Sequence, residues 1–228
     1  MSDSSVSLVH IVQRPRVEPA GQAPLLVLLH GVGSNEEDLI ALAPYLDPRF
    51  LVVSLRAPLT LGPGAYGWYQ VEWAASGIRH DEAGAIAGQA AAEQAIDELV
   101  KPYDVDPSRV YLMGFSQGAI LSLRIALTHP EKIAGAVIMS GRLLPVAADN
   151  GEAPAALTDL PIFVVHGTLD TILPISSGRQ INEYLKKTPV SLTYKEYAMG
   201  HTVSQESLDD IAHWLTDSLN SSPPVKTP

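Results

Sequence analysis

Short, wholly apolar runs recur through this chain, separated by segments whose apolar residues fall at helical spacing. A run without polar alternation fits a strand covered on both faces. The pattern therefore calls for a mainly parallel sheet with helices on either side. Residues 25–30, 50–55, 109–115, 133–139 and 161–166 read as such strands, with a weakly alternating edge strand over 6–13 and a last strand over 190–197. Helices are expected over 36–46, where Ser34 or Asn35 caps and three acids fill the first turn, and over 82–103 and 117–128. Another is opened by Pro174 at its first position, and a C-terminal one carries the stripe Leu208, Ile211, Ala212, Leu215, Leu219. Residues 56–81, rich in Gly, Pro and aromatics, read as one long irregular loop, of a length that suggests function.

No repeat or linker divides the 228 residues, so one domain over 1–220 with a frayed tail over 221–228 is expected. The excess of 25 acids over 15 bases, −10 overall, repels phosphate backbones and anionic membranes, and no Lys/Arg cluster offsets it. Nucleic acid and stable membrane association are therefore excluded as expectations, and no apolar run approaches the ~18 residues of a membrane span. With no cysteine, disulfides, thiolate metal sites and a Cys nucleophile drop out together. The opening Met1-Ser-Asp-Ser-Ser carries neither a basic region nor an apolar core, so a cytoplasmic protein is expected.

Gly114-Phe115-Ser116-Gln117-Gly118 matches G-x-S-x-G, with a hydrophobic strand running in and an apolar helix running out. A serine on so sharp a turn needs small neighbours two residues away on each side, and glycine fills both places. Ser116 is thus the expected nucleophile. Its partners should follow in the order acid, then His, each just past a strand's carboxyl end. Asp170 lies four residues beyond His166 at the end of one strand, and His201 lies in the short loop after the last. Asp149 and Asp159 sit in a polar connection and His213 on the final helix, so none of them passes this test, while His166 is expected to brace the turn carrying Asp170. The oxyanion hole should take the backbone N–H of Gln117 and that of Val32, in the loop His30-Gly-Val-Gly33.

The segments Leu28-Leu-His-Gly-Val-Gly, Gly114-Phe-Ser-Gln-Gly, His166-Gly-Thr-Leu-Asp with Leu173-Pro174, and Met199-Gly-His201 together resemble the phospholipase/carboxylesterase family of α/β-hydrolases. The resemblance spans about 25–219. It implies the α/β-hydrolase fold without a large cap domain, Ser116, Asp170 and His201 as triad, Val32 and Gln117 as oxyanion donors, and, as is common in the family, a homodimer. Asn35-Glu-Glu-Asp-Leu39 looks more like the bacterial esterase branch than the eukaryotic thioesterases, and Arg142 stands where members often carry an aromatic residue.

These parts predict a serine hydrolase of small-molecule carboxylic esters with short to medium acyl chains, needing no metal or organic cofactor. Trp68, Tyr69 and Trp73 in the long loop, with Arg142 and Ile172, are the expected pocket residues. Thioesters or lysophospholipids are alternative substrates. The rival of another class is a ligand-binding protein that keeps the fold without turnover.

Overall fold

The apolar runs pair into a seven-stranded sheet in a computed structural model that describes residues 6–74, 77–144 and 155–221, the side chains of 72–74, 77–80 and 155 excepted. In chain order the elements are β1 (His10–Gln13), β2 (Ala23–Leu29), α1 (Glu36–Ile40), β3 (Leu51–Leu55), β4 (Leu59–Gly62), β5 (Ala65–Gly67), β6 (Val71–Ala74), β7 (Gly77–His80), α2 (Glu82–Val100), β8 (Val105–Phe115), α3 (Gln117–Thr128), β9 (Gly135–Met139), β10 (Pro161–Gly167), α4 (Ile175–Leu185), β11 (Ser191–Tyr197) and α5 (Gln205–Asn220). The main sheet runs β1-β3-β2-β8-β9-β10-β11. Only β1 is antiparallel to its neighbour; all other pairings are parallel.

The period of two along each strand divides the core. Leu25, Val27 and Leu29 of β2 join one buried cluster with α2, α3 and α4, whereas Leu26 and Leu28 face the other with α1 and α5. Helix α3 is buried from Gln117 to Leu127, as its nearly unbroken apolar sequence requires. The long α2 packs a face of small residues, Ala85, Gly88, Ala92 and Ala95, which lets it lie close against its neighbours.

Three sequence expectations need correction. The helix expected over 36–46 is the short α1 followed by a 3-10 turn, Ala43–Tyr45, because Pro44 has no N–H to continue the helical ladder. The stretch 56–81 is no irregular loop but two hairpins, β4–β5 and β6–β7. In the first, Pro63-Gly64 forms a two-residue turn with Gly64 at φ +69, a conformation that glycine adopts without strain. Pro174 precedes its helix as the cap rather than opening it. Of the expected tail, 222–228 lies outside the described residues.

Strand order fixes where a site belongs. From β2 the chain passes to β3 on one side, then crosses through α2 to β8 on the other side of β2. The carboxyl ends of β2 and β8 therefore flank the point where the connections diverge, which is where a crevice opens in such sheets.

Candidate active site

Ser116 stands at that crevice, immediately after β8, at φ +53 and ψ −113. A non-glycine residue persists there only when its surroundings enforce it. The enforcement is visible: Ser116 N–H donates to Met139 O at 2.9 Å, Ser116 O accepts from Ile120 N–H at 3.0 Å, and the flanking glycines let three backbones converge. A Cβ on Gly114 would overlap the Gly118 carbonyl and sit 2.6 Å from Ala119 N; one on Gly118 would overlap the Leu29 carbonyl and lie 2.8 Å from that of His30.

The chain ends of β10 and β11 supply the partners. Backbone bonds from Thr168 N–H to Tyr197 O (2.8 Å) and Leu169 N–H to Met199 O (3.0 Å) bind the two loops together. Asp170 is buried, its side chain wholly inaccessible. One of its oxygens, Oδ1, accepts from Ile172 and Leu173 N–H at 2.9 and 2.8 Å, while Oδ2 lies 2.7 Å from His201 Nδ1. With its proton on Nδ1 facing the carboxylate, His201 presents a bare Nε2 to Ser116 Oγ at 2.9 Å. Three groups from the ends of three strands thus form one hydrogen-bonded line. Phe115 packs against the imidazole at 4.8 Å between ring centroids, a support the sequence pattern did not reveal.

His166 donates from Nε2 to Leu173 O at 2.8 Å, bracing the turn that carries Asp170. His30, also fully buried, does similar work on the opposite wall. Its Nε2 accepts from Ala57 N–H at 3.0 Å, which leaves the proton on Nδ1 to donate to Gly31 O at 2.7 Å. Burial lowers the His30 pKa below its ordinary value and keeps the ring neutral, as this pattern needs. In a trans peptide the C=O and the following N–H point apart, so tethering Gly31 O aims the Val32 N–H the other way. Val32 lines the same cavity as Ser116. The N–H of Gln117 begins α3 and has no acceptor within the helix, so it too is available to an oxyanion.

The cavity holds about 230 Å³. Beside Ser116 and His201 it is lined by Tyr69, Val71, Ile120, Ile172 and, as polar groups, Ser34 and Asp38. Of the expected pocket residues, Tyr69 and Ile172 are therefore present and two are not. Trp68 is turned inward, its indole N–H donating to His30 O at 3.0 Å, so it braces the β2 loop instead of meeting substrate. Arg142, half-buried beyond the end of β9, stays outside the lining; burial lowers its pKa. The Trp73 side chain lies outside the described residues.

Fold and hydrogen-bonded line together define an α/β-hydrolase. A model of the phospholipase/carboxylesterase family matches residues 11–219, almost the whole chain, and the protein belongs to that family. It is 28% identical over 222 residues to acyl-protein thioesterase 1 of Saccharomyces cerevisiae, covering 90% of this chain and 96% of the yeast protein. A probable inactive carboxylesterase of Oryza sativa is 25% identical over 221 residues, covering 91% and 90%. The crystal structure of the Bacillus cereus carboxylesterase superposes with a TM-score of 0.77 at 24% identity, covering 94% of this chain and 96% of that one.

Proposed function

We propose that this hydrolase cleaves small, uncharged carboxylic esters with short to medium acyl chains through an acyl-enzyme. The observation that carries the reading is the line Ser116 Oγ, His201 Nε2 and Nδ1, Asp170 Oδ2 at 2.9 and 2.7 Å, opening on the cavity. His201 takes the Ser116 proton as Oγ attacks the acyl carbon, and Asp170 holds the resulting imidazolium. The N–H groups of Val32 and Gln117 receive the oxyanion. His201 then protonates the leaving alcohol, and a water activated by the same imidazole releases the acid. Nothing in these steps calls for a metal or organic cofactor.

A cavity of about 230 Å³ lies below the ~300–1,000 Å³ of sites that enclose drug-sized ligands, which favours short acyl groups over long fatty ones. Thioesters and lysophospholipids are the alternative substrates, and the likeness to the yeast acyl-protein thioesterase supports the first of them. A cytoplasmic setting belongs to the same proposal and rests on the cysteine-free sequence; among the described residues no helix is long and apolar enough to cross a membrane.

Chromogenic esters of graded acyl length, tested beside a fluorophosphonate probe, decide the matter. Acetyl to butyryl esters should turn over fastest, and the probe should label wild-type protein but not Ser116→Ala. Labelling without turnover of any ester would favour the binding-protein rival.

A further inference from the structure

Gln117 has a second attachment to the site through its side chain. Trp68 and Tyr69 follow β5 and are both buried. The Gln117 carboxamide meets both. Its Oε1 accepts from Trp68 N–H at 2.7 Å, and its Nε2 donates to Tyr69 O at 2.8 Å. The carboxamide thus serves one backbone donor and one backbone acceptor at once, from the peptide groups before Trp68 and after Tyr69. The side chain is itself buried, with 2% of the residue exposed, and the position opposite it is Gly67, whose added Cβ would lie 3.4 Å from Oε1.

Two functions therefore meet in one residue. The backbone N–H of Gln117 faces the oxyanion, and its side chain fixes the distance between that N–H and the Tyr69 wall that bounds the cavity. We propose that Gln117 is a specificity-determining positioning residue: its carboxamide holds the Tyr69 wall of the cavity at a set distance from the nucleophile and so sets the acyl chain length accepted. The inference rests on the esterase reading above. Without the clamp, Trp68 N–H and Tyr69 O lose the hydrogen bonds that Gln117 supplies, the Trp68–Tyr69 segment shifts, and the wall no longer stops a longer acyl group at one depth.

The test is a ratio. kcat/KM is measured for acetyl, butyryl and octanoyl p-nitrophenyl esters with wild type, Gln117→Met, which removes both hydrogen bonds at similar volume, and Gln117→Glu, which keeps the acceptor for Trp68 N–H. A ratio of two kcat/KM values does not depend on how much protein is folded, so partial unfolding leaves it unmoved. Gln117→Met should reduce the short-to-long preference by about tenfold, the scale of a hydrophobic pocket's discrimination between chain lengths, and Gln117→Glu by less. An equal slowing of all three esters, or an unchanged profile, would overturn the proposal and leave Gln117 as an oxyanion donor alone. Amide exchange at Trp68 provides a readout independent of turnover. It should quicken in Gln117→Met relative to wild type, and equal rates would also overturn the clamp, even if no ester were hydrolysed and the esterase reading itself had failed.

Discussion

At the scale of single residues, the site depends on tethers that fix atoms in a chosen direction. Replacing Ser116 with Ala should leave a folded protein whose ester hydrolysis is at background. Asp170→Asn should lower kcat by about 10⁴-fold, since a carboxamide facing Nδ1 favours the wrong imidazole tautomer; steady-state kinetics with circular dichroism as a folding control checks both. His30 makes a different prediction. Its folded pKa lies below the ordinary 6.5, so the unfolded chain takes up the proton first as the solution is acidified. The stability due to its neutral form is complete above about pH 6.5 and is lost as pH falls from there through the folded value. Melting temperatures should decline between pH 7 and pH 5 in wild type and decline less in His30→Gln. Glu36, whose carboxyl is held below its ordinary 4.5 by the Arg56 guanidinium, adds a second loss only in more acidic solution. The place of Ser116 was legible from the G-x-S-x-G turn, and those of Asp170 and His201 from chain order and strand ends. The tethers at His30 and Gln117 were not, because their partners, Ala57, Trp68 and Tyr69, lie between 27 and 49 residues away on a segment whose path no local pattern reveals.

At the scale of elements, the elbow joins β8, α3 and the end of β2 through two glycines. Gly118→Ala should destabilise the fold by at least ~3 kcal/mol in urea titration, since its methyl would have to enter the space of the Leu29 carbonyl at the centre of the sheet. Asp81→Ala should be far milder, about 1 kcal/mol, because Asp81 only caps α2 by accepting from Gly84 N–H at 3.0 Å. Most elements were readable because a fully covered strand or a one-faced helix announces its burial in its own composition. The hairpins were not. Gly62, Pro63, Gly64 and Gly67 resemble loop punctuation, and the pairing of β4 with β5 depends on a turn type that composition does not distinguish from an irregular bend. Pro44 had the opposite effect: ignored within an apolar stripe, it divides the stripe into α1 and a 3-10 turn.

For the molecule as a whole, the crevice lies at the divergence of β2 and β8, and Tyr69 and Val71, between and at the start of the hairpins, line it. A net charge of −10 gives no attraction to anionic interfaces. Turnover of esters should therefore saturate smoothly, with no jump in rate where a substrate exceeds its solubility; a sharp rise at that limit, lost on shortening the hairpins, would identify them as a lid. The place of β11 carries a last consequence. Ser116 follows a strand held on both sides, whereas His201 follows one that, among the described residues, pairs with β10 alone and leaves Ser191, Lys195 and Glu196 open to water. Marginal strands detach at lower free energy than central ones. As denaturant is added, the protein should fall silent before it unravels: hydrolysis should vanish at a urea concentration where the circular dichroism signal still reports an intact sheet, and should return at once on dilution. The imidazole, in other words, hangs from one edge of the sheet while the serine it faces is seated at its middle.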